Sequence, residues 1–440
     1  MPTPLIPTPR ARLLRRWRHH HPTRRTLRGH GYFKRLGPGL VTGAADDDPS
    51  GIGTYSQVGA AFGLALSWSA LAVGPLAIAV QELAARIGLV SAQGLGVLMR
   101  RRFPKLIVLF AVLLVAIANT FNIAADLQAM GAATAVVAPV NPAVWTVGFA
   151  LVIVTLEVFV PYHRYSKILR WLALSLGAYL VVLFMVNADW LEVLRAALIP
   201  TFSGTRGELI ALIAVFGTTI SPYLFFWQAS EEVEEEGEVA PRATPDVRPQ
   251  HLTAMRVDVI GGMVSAVLIA FAIIVASALT LHPAGITQIN TPAQAAEALQ
   301  PIAGNLAGAV FALGIVGLGL LAVPVLAGAT AYAVAEVFGW HEGLSSHFRQ
   351  ARGFYTVILL SMAIGLALGF GGLDPIRGLY YAAILNGVCA PPLIVLMMIL
   401  ARDKRIMGEH RSGWLSLTIT GAAAFIAVGL IVTAGILAIR

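Results

Sequence analysis

The sequence predicts an all-α polytopic membrane protein of about eleven transmembrane helices, of which the first and the sixth are broken. Three observations lead to this fold class. Apolar residues make up 57% of the 440 residues and charged residues only 12%, with a mean hydropathy of +0.76, which excludes an ordinary soluble domain. The apolar residues form stretches of roughly 20, enough to span a bilayer, without the regular alternation of a membrane β-barrel. Two of these stretches contain a proline beside polar residues.

The apolar stretches follow one another along most of the chain. They lie near residues 38–62, 65–90, 105–136, 142–161, 168–187, 207–230, 257–281, 303–332, 353–371, 376–400 and 414–438. A run from Glu231 to Gln250, rich in Glu and Pro, separates the sixth stretch from the seventh and is typical of a polar loop. The acidic part of this run, Glu231 to Glu238, has a second interpretation as a funnel that concentrates cations. We expect one membrane domain.

Lysine and arginine residues predict the orientation. Ten of them precede Gly37, and further clusters follow every second span, at 100–105, 164–170, 242–256, 349–352 and 402–411. The positive-inside rule then places the N-terminus in the cytoplasm and the protein in the inner membrane. The net charge of +8 is therefore a topology signal. We expect the basic tail, residues 1–36, to lie against anionic lipid and not to bind nucleic acid.

The first span is interrupted by three adjacent carboxylates. Asp46, Asp47 and Asp48 are followed directly by Pro49, inside an apolar segment. A carboxylate at bilayer depth costs at least ~2.5 kcal/mol, so it persists where it pairs, binds an ion or lines a wet cavity. Proline prevents a regular helix at this point. Interrupted helices that expose carbonyls beside acids form the cation sites of secondary transporters, and we expect such a site around Asp48.

The sixth span contains a corresponding break, Gly217-Thr218-Thr219-Ile220-Ser221-Pro222-Tyr223. Five helices separate the two breaks in order, so the second would lie in an inverted copy of the first. Paired interruptions in two halves indicate a transporter's central site. We therefore predict a transporter core at 37–400, with inverted repeats at about 37–190 and 205–400, and an additional helix within 401–440.

These motifs resemble the Nramp family of divalent metal transporters over about residues 37–400. Asp48-Pro49-Ser50-Gly51 stands where the family typically has Asp-Pro-Gly-Asn, and the sixth-span break stands where it has Gly-Ala-Thr-x-Met-Pro-His. The segment 81–88 is similar to the family's Gln-x-Leu-x-x-Arg-Leu-Gly pattern, and Asp126-Leu127 matches its Asp-Leu pair. The resemblance implies a LeuT-type fold of two inverted five-helix repeats plus one extra helix. It also implies transport by alternating access and no enzymatic activity.

The resemblance further implies a set of metal ligands. Asp48 and the backbone carbonyls near Ala45 and Thr218 correspond to family ligands, and we expect Asp47 to assist through water. Gly51 replaces the family's Asn, and Ser221 replaces its Met. A thioether helps to select transition metals, whereas oxygen ligands suit hard cations. Because Mg²⁺ keeps several of its waters, a roomy site of oxygen ligands fits it, so the chain resembles the Nramp-related magnesium transporters most. Mn²⁺ also accepts such ligands.

Two replacements concern coupling to protons. The family has a carboxylate three residues after the third-span Asp and a His in the sixth-span motif, whereas this chain has Ala129 and Tyr223. Tyrosine has an ordinary pKa near 10 and replaces histidine poorly as a proton carrier. We therefore expect transport without proton coupling, driven by the membrane potential. Tyr223 is instead a candidate ligand.

Three further intramembrane residues are candidates. Asp126 is predicted to act in coupling or gating, or else to be a buried partner for an arginine or backbone amides. Glu82 is predicted either to act in gating or to form an ion pair with Arg86, four residues later. Asn386 is predicted to interrupt the tenth span near Pro391 and to line the cavity as a ligand, or else to hydrogen-bond between helices.

Several alternatives remain open. A proton-coupled Mn²⁺/Fe²⁺ transporter of the Nramp type is the nearest, followed by an amino-acid symporter of the same fold, a gated cation channel and a membrane enzyme. The carboxylates at the first break would repel the carboxylate of an amino acid. The single cysteine, Cys389, provides neither a disulfide nor a thiolate metal site. We expect no cofactor, a divalent metal ion as substrate, the lipid bilayer as the surroundings and a monomer.

Overall fold

The computed structural model describes residues 37–160, 179–181, 185, 188–239, 249–344, 348–372 and 374–439. Every regular element in these ranges is helical. The longer helices are α1 (Pro38–Asp46), α2 (Pro49–Phe62), α3 (Trp68–Ser91), α4 (Leu95–Arg102), α5 (Lys105–Val137), α6 (Pro142–Phe159), α7 (Trp190–Leu198), α8 (Arg206–Thr219), α9 (Pro222–Val239), α10 (Pro249–Thr280), α11 (Ala307–Phe338), α12 (Arg352–Gly369), α13 (Pro375–Arg402) and α14 (Trp414–Ile439). Shorter helices at Pro292–Ala296, Gln300–Ala303 and Lys404–Met407 lie in the connections.

Nine helical stretches within the described ranges are long and apolar enough to cross a membrane. They correspond to the predicted second to fourth and sixth to eleventh spans, with α8 and α9 forming the sixth between them. The first predicted span is present as two shorter helices, α1 and α2. Most of the predicted fifth span, at 168–187, and the basic tail at 1–36 fall outside the described residues.

The helices bury polar residues and expose apolar ones, as expected in lipid. Leu106 on α5 and Phe425 on α14 are each 80% exposed. Asn122 and Asp126 on α5 are fully buried inside the bundle. Bilayer hydrocarbon provides no hydrogen bonds, so polar side chains gain only where they face other helices or a cavity.

The first break is local to Asp47 and Asp48. Helix α1 ends at Asp46, and Asp47 leaves the helical region with φ −84° and ψ 41°. Asp48 is extended, with φ −61° and ψ 170°, and its side chain caps α2 by accepting from the Gly51 amide. Pro49 begins α2, where its fixed φ suits a first helical turn and its missing N–H is not needed.

The second break has the same construction. Helix α8 ends at Thr219, Ile220 departs from helical geometry with φ −118° and ψ 62°, and Pro222 begins α9. Both breaks therefore consist of two non-helical residues followed by a proline that starts the next helix.

Glycines let the first broken helix approach α10 closely. A Cβ added at Gly39 would lie 2.6 Å from the backbone nitrogen of Val259, and one at Gly43 would collide with the backbone of Gly262. A Cβ at Gly59 on α2 would collide with the carbonyl oxygen of Ile274, also on α10. Small residues at helix contacts allow this backbone approach in membrane proteins.

Two predictions about local structure are wrong. The predicted loop from Glu231 begins as helix, because α9 continues to Val239 and glutamate is a good helix former. Asn386 does not interrupt the tenth span, because α13 continues through it and through Pro391 and Pro392. Neighbouring helices can satisfy the backbone groups that a proline frees within a membrane helix.

Candidate functional site

The two breaks face each other inside the bundle. The Tyr223 hydroxyl, in the first turn of α9, donates to the carbonyl oxygen of Ala45 near the end of α1, at 2.7 Å. The hydroxyls of Tyr55 and Thr219 lie 2.8 Å apart, which connects α2 to the end of α8. The hydroxyl of Thr218 lies 3.4 Å from that of Ser50. The predicted pairing of the two interruptions is thus a direct contact.

Asp48 lies at the centre of this contact and is 1% exposed. Its Oδ1 accepts from the Gly51 amide and from the Ser50 hydroxyl, each at 2.8 Å. Its Oδ2 receives one longer contact, 3.4 Å, from the side-chain amide of Asn122 on α5. Since Oδ1 already accepts two short hydrogen bonds, Oδ2 is the oxygen better able to bind a cation.

The other acids at the site are less satisfied than Asp48. In the described part of the chain, both carboxylate oxygens of Asp46, both of Asp126 and Oδ1 of Asp47 are buried without a hydrogen-bond partner. None of the ion pairs between described residues includes any of these acids. Asp126 lies close enough to Asp48 for their charges to interact. A buried charge without a partner is unfavourable, so this group of acids calls for a positive ligand.

Helix dipoles favour a cation at the same place. Helices α1 and α8 both end at the breaks, so their last carbonyls direct partial negative charge towards the site. The opposite, positive dipole end of α2 is capped by Asp48 itself. The breaks therefore provide two helix C-termini together with several acids.

Ser221 and the Thr218 carbonyl, both predicted ligands, contact each other. The Ser221 hydroxyl lies 2.9 Å from the carbonyl oxygen of Gly217 and 2.9 Å from that of Thr218, so it caps the end of α8. The Ala45 carbonyl likewise accepts from Tyr223. A carbonyl oxygen has two lone pairs, and a hydroxyl that donates still has lone pairs for an ion.

Gly51 lies where the two breaks pack closely together. A Cβ at this position would lie 3.4 Å from the carbonyl oxygen of Asp46, 3.4 Å from the hydroxyl of Thr218 and 3.3 Å from the ring of Tyr55. Any side chain at position 51 would therefore extend among the predicted ligands. Glycine therefore allows Asp46, Thr218 and Tyr55 to pack closely around this position.

Asn386 is fully buried on α13, and neither its amide nitrogen nor its amide oxygen has a hydrogen-bond partner in the described residues. The next residue, Gly387, packs against the backbone of Gly217 on α8. Asn386 thus lies beside the helix that carries the second break, with its side chain unsatisfied.

Glu82 makes its contacts elsewhere. It pairs with Arg86 on its own helix, and its Oε1 accepts from Arg256 on α10 at 3.0 Å. These contacts match the ion-pair alternative, and none of them connects Glu82 to the breaks.

The predicted ligands do not form a ready-made cage of ionisable side chains. Across the described residues, no group of three or more His, Cys, Asp or Glu side chains is arranged to hold a metal ion. A cation at the breaks would take one or two carboxylates and complete its shell with carbonyls, hydroxyls, amides and water. Hard divalent cations accept such a shell.

Two residues were missed as site candidates. Asn122 was not considered, although it precedes Asp126 by four residues and so shares its helix face. Asp46 also lies at the breaks: its backbone oxygen lies beside Gly51, and both oxygens of its carboxylate are buried without a hydrogen-bond partner in the described residues. The run of three acids was the available signal for Asp46, but spacing alone does not give the direction of a side chain in a non-helical segment.

Comparison with known proteins gives a family match over most of the chain. A family model described as Natural resistance-associated macrophage protein-like, or Nramp, matches residues 39–437. A Deinococcus radiodurans protein, the divalent metal cation transporter MntH, is 25% identical over 383 residues, which cover 85% of this chain and 83% of the relative. An Aeromonas hydrophila protein of the same name is 24% identical over 387 residues, which cover 86% of this chain and 89% of the relative.

Solved structures share the architecture. The crystal structure of the Eremococcus coleocola manganese transporter in complex with an aromatic bis-isothiourea substituted compound has a TM-score of 0.69 and 15% identity, covering 92% of this chain and 88% of that one. The structure of MhsT in complex with L-phenylalanine has a TM-score of 0.64 and 16% identity, covering 91% and 98%. At these identities the likeness concerns the fold, and it confirms the predicted LeuT-type architecture.

Proposed function

Because the chain belongs to the Nramp family, we propose that it is a secondary transporter that carries divalent metal cations across the cytoplasmic membrane by alternating access. The observation that carries this proposal is the group of buried acids at the paired breaks, among which Asp46 and Asp126 have no hydrogen-bond partner in the described residues. A divalent cation supplies the missing positive charge. The substrate carboxylate of an amino acid would meet repulsion at the same place.

Asp48 is the central ligand of this proposal, through Oδ2. The carbonyls of Ala45 and Thr218 and the hydroxyls of Ser221 and Tyr223 contribute neutral oxygen. Asp47 acts through water, Gly51 lets the two breaks approach each other, and Asn386 lines the cavity. All of these residues are buried within the bundle.

Mg²⁺ is the favoured substrate. Its preference for oxygen ligands suits a site in which Ser221 and Gly51 stand where the family has a thioether and an amide. Mn²⁺ accepts the same ligands and is the alternative. The relatives and the solved neighbour named above are manganese or divalent-metal transporters by name, so the preference for Mg²⁺ rests on this chain's own substitutions.

Transport is proposed to proceed without proton coupling. Ala129 and Tyr223 occupy the two positions at which the family has titratable residues. An inside-negative potential moves a divalent cation inward with about 4.6 kcal/mol per 100 mV, twice the value for one charge. The distribution of lysine and arginine supports a cytoplasmic N-terminus.

Uptake into proteoliposomes tests the proposal. Mg²⁺ and Mn²⁺ would be supplied separately while the potential is clamped and the lumenal pH is followed. We expect Mg²⁺ entry without acidification. Mn²⁺ entry with acidification, and no Mg²⁺ entry, would overturn the preference and the coupling mode but retain the class. Entry of neither metal would overturn the class.

A double variant tests the origin of the metal preference. Gly51→Asn with Ser221→Met restores an amide and a thioether at the two substituted positions. We expect the ratio of Mn²⁺ to Mg²⁺ uptake to rise by about tenfold, the equivalent of ~1.4 kcal/mol. The single variants are the matched controls, and an unchanged ratio in all three would contradict the assignment.

A further inference from the structure

Asn122 is the only α5 side chain in the described residues that makes a direct hydrogen bond to Asp48. It is fully buried, and its Nδ2 lies 3.4 Å from Asp48 Oδ2, the oxygen that is least occupied by other donors. Its own Oδ1 is buried without a hydrogen-bond partner in the described residues. We infer that Asn122 is a further ligand of the transported cation, through Oδ1. This inference rests on the proposed function.

A second asparagine on α5, Asn119, makes contacts of a purely structural kind and serves as a comparison. Asn119 is also fully buried, and its Nδ2 donates to the Leu326 carbonyl at 3.2 Å and to the Thr330 hydroxyl at 2.9 Å, both on α11. Asn119 thus joins α5 to α11. Asn122 makes no such bond to a scaffold helix in the described residues, and its one contact is with the acid at the break.

The position of Asn122 suits a ligand. It lies one turn before Asp126 on the same face of α5, so the two side chains approach the first break together. Helix α5 packs against α11, α12 and α13, which fixes its face relative to the broken helices. A ligand on such a helix is placed more rigidly than one on the break itself.

The chemistry of an amide also suits this place. An amide oxygen is a ligand for hard divalent cations, directly or through one water. Unlike a fifth carboxylate, it adds no negative charge to a site that already contains four acids. The amide nitrogen meanwhile holds Asp48 Oδ2 in place, so one side chain orients the charged ligand and supplies a neutral one.

The test compares three variants of the full chain in proteoliposomes: Asn122→Ala, Asn122→Asp and the matched control Asn119→Ala. Initial Mg²⁺ and Mn²⁺ uptake rates give KM and maximal rate, and thermal unfolding in detergent gives stability. For Asn122→Ala we expect KM for the better substrate to rise about tenfold, with the maximal rate within about twofold of wild type. Asn122→Asp retains an acceptor oxygen and is expected to recover KM to within about threefold.

Asn119→Ala should lower the melting temperature and leave KM within about twofold of wild type, because it removes only an interhelical contact. The inference is overturned if Asn122→Ala leaves KM unchanged, or if Asn119→Ala raises it equally. Should Asn122→Ala fail to fold, Asn122→Ser is judged by the same KM criterion. Absence of uptake by the wild type would instead defeat the proposed function, whereas uptake that is lost in Asp48→Asn but normal in Asn122→Ala defeats only this inference.

Discussion

The acids buried in this bundle differ in the charge of their partners. Glu82 on α3 pairs with Arg86 and Arg256. Asp46 and Asp126, next to the breaks, have no hydrogen-bond partner in the described residues, and Asp48 has only neutral donors. Burial is nearly the same, at 8% exposure for Glu82 and 1% for Asp48. Burial therefore does not separate these two kinds of acid, whereas the charge of the partner does.

Removing the charge of Asp48 is expected to have the largest effect and tests this contrast most directly. Asp48→Asn keeps the size of the side chain and its ability to cap α2 but removes the charge. We expect divalent cation uptake to fall by at least about a thousandfold, equivalent to ~4 kcal/mol, because the cation loses its central ligand. Uptake is measured in proteoliposomes, and a normal melting temperature shows that the protein is folded. Substantial residual uptake would mean that another acid is the central ligand.

The reverse outcome is expected for Glu82. Glu82→Gln leaves the largely buried Arg86 without its carboxylate, and breaking a buried pair costs about 3 kcal/mol of stability. Chemical or thermal unfolding in detergent measures the loss. KM for the metal should stay at the wild-type value. If KM rises while stability is unchanged, Glu82 belongs with the functional acids and the comparison fails.

The sequence already separated these two groups in part. The Glu82–Arg86 spacing predicted an ion pair, and Pro49 beside three acids predicted a break and a site. The contribution of Arg256 was not predictable, because it comes from a helix about 170 residues later in the chain. The same holds for Asn122, whose role depends on how α5 packs against the first break. Helical periodicity also could not show that α13 continues past Asn386, since tertiary packing decides whether a proline-containing membrane helix is interrupted.

Added metal should stabilise only through the unpaired acids. Binding to the folded state alone contributes about 2.7 kcal/mol at a metal concentration one hundred times Kd. We expect Mg²⁺ to raise the melting temperature of the wild type and of Glu82→Gln but not that of Asp48→Asn. Equal stabilisation of all three proteins would indicate binding at the surface.

The smallest expected effect concerns an acid outside the spans. Half-buried Glu342 follows α11, and burial together with the neighbouring charges of Glu336 and Glu234 raises its pKa to about 8, against a smaller opposing effect of Arg100. The folded state then holds a proton that the unfolded state has released, so stability falls as the pH rises from about 4.5 to about 8.

Glu342→Gln should remove this dependence. The gain in melting temperature over wild type is expected to be larger at pH 8.5 than at pH 5. The corresponding gain in the free energy of unfolding is expected to stay below ~1 kcal/mol because the group is partly exposed. Thermal unfolding at the two pH values measures it. A gain that is independent of pH would show that the pKa of Glu342 is the same in the folded and unfolded states, and a gain that shrinks as the pH rises would show that the folded state favours the charged carboxylate.

The glycine contact between α1 and α10 has a consequence for how α1, the first half of the broken helix, can be displaced. Gly39 and Gly43 meet α10 backbone to backbone, with no side chain to deform between them. A methyl group added at Gly39 or Gly43 would therefore push α1 away from α10, and it would not contact any acid at the breaks. A change at this glycine contact would therefore shift α1, which carries the Ala45 carbonyl, without altering the chemistry of any proposed ligand.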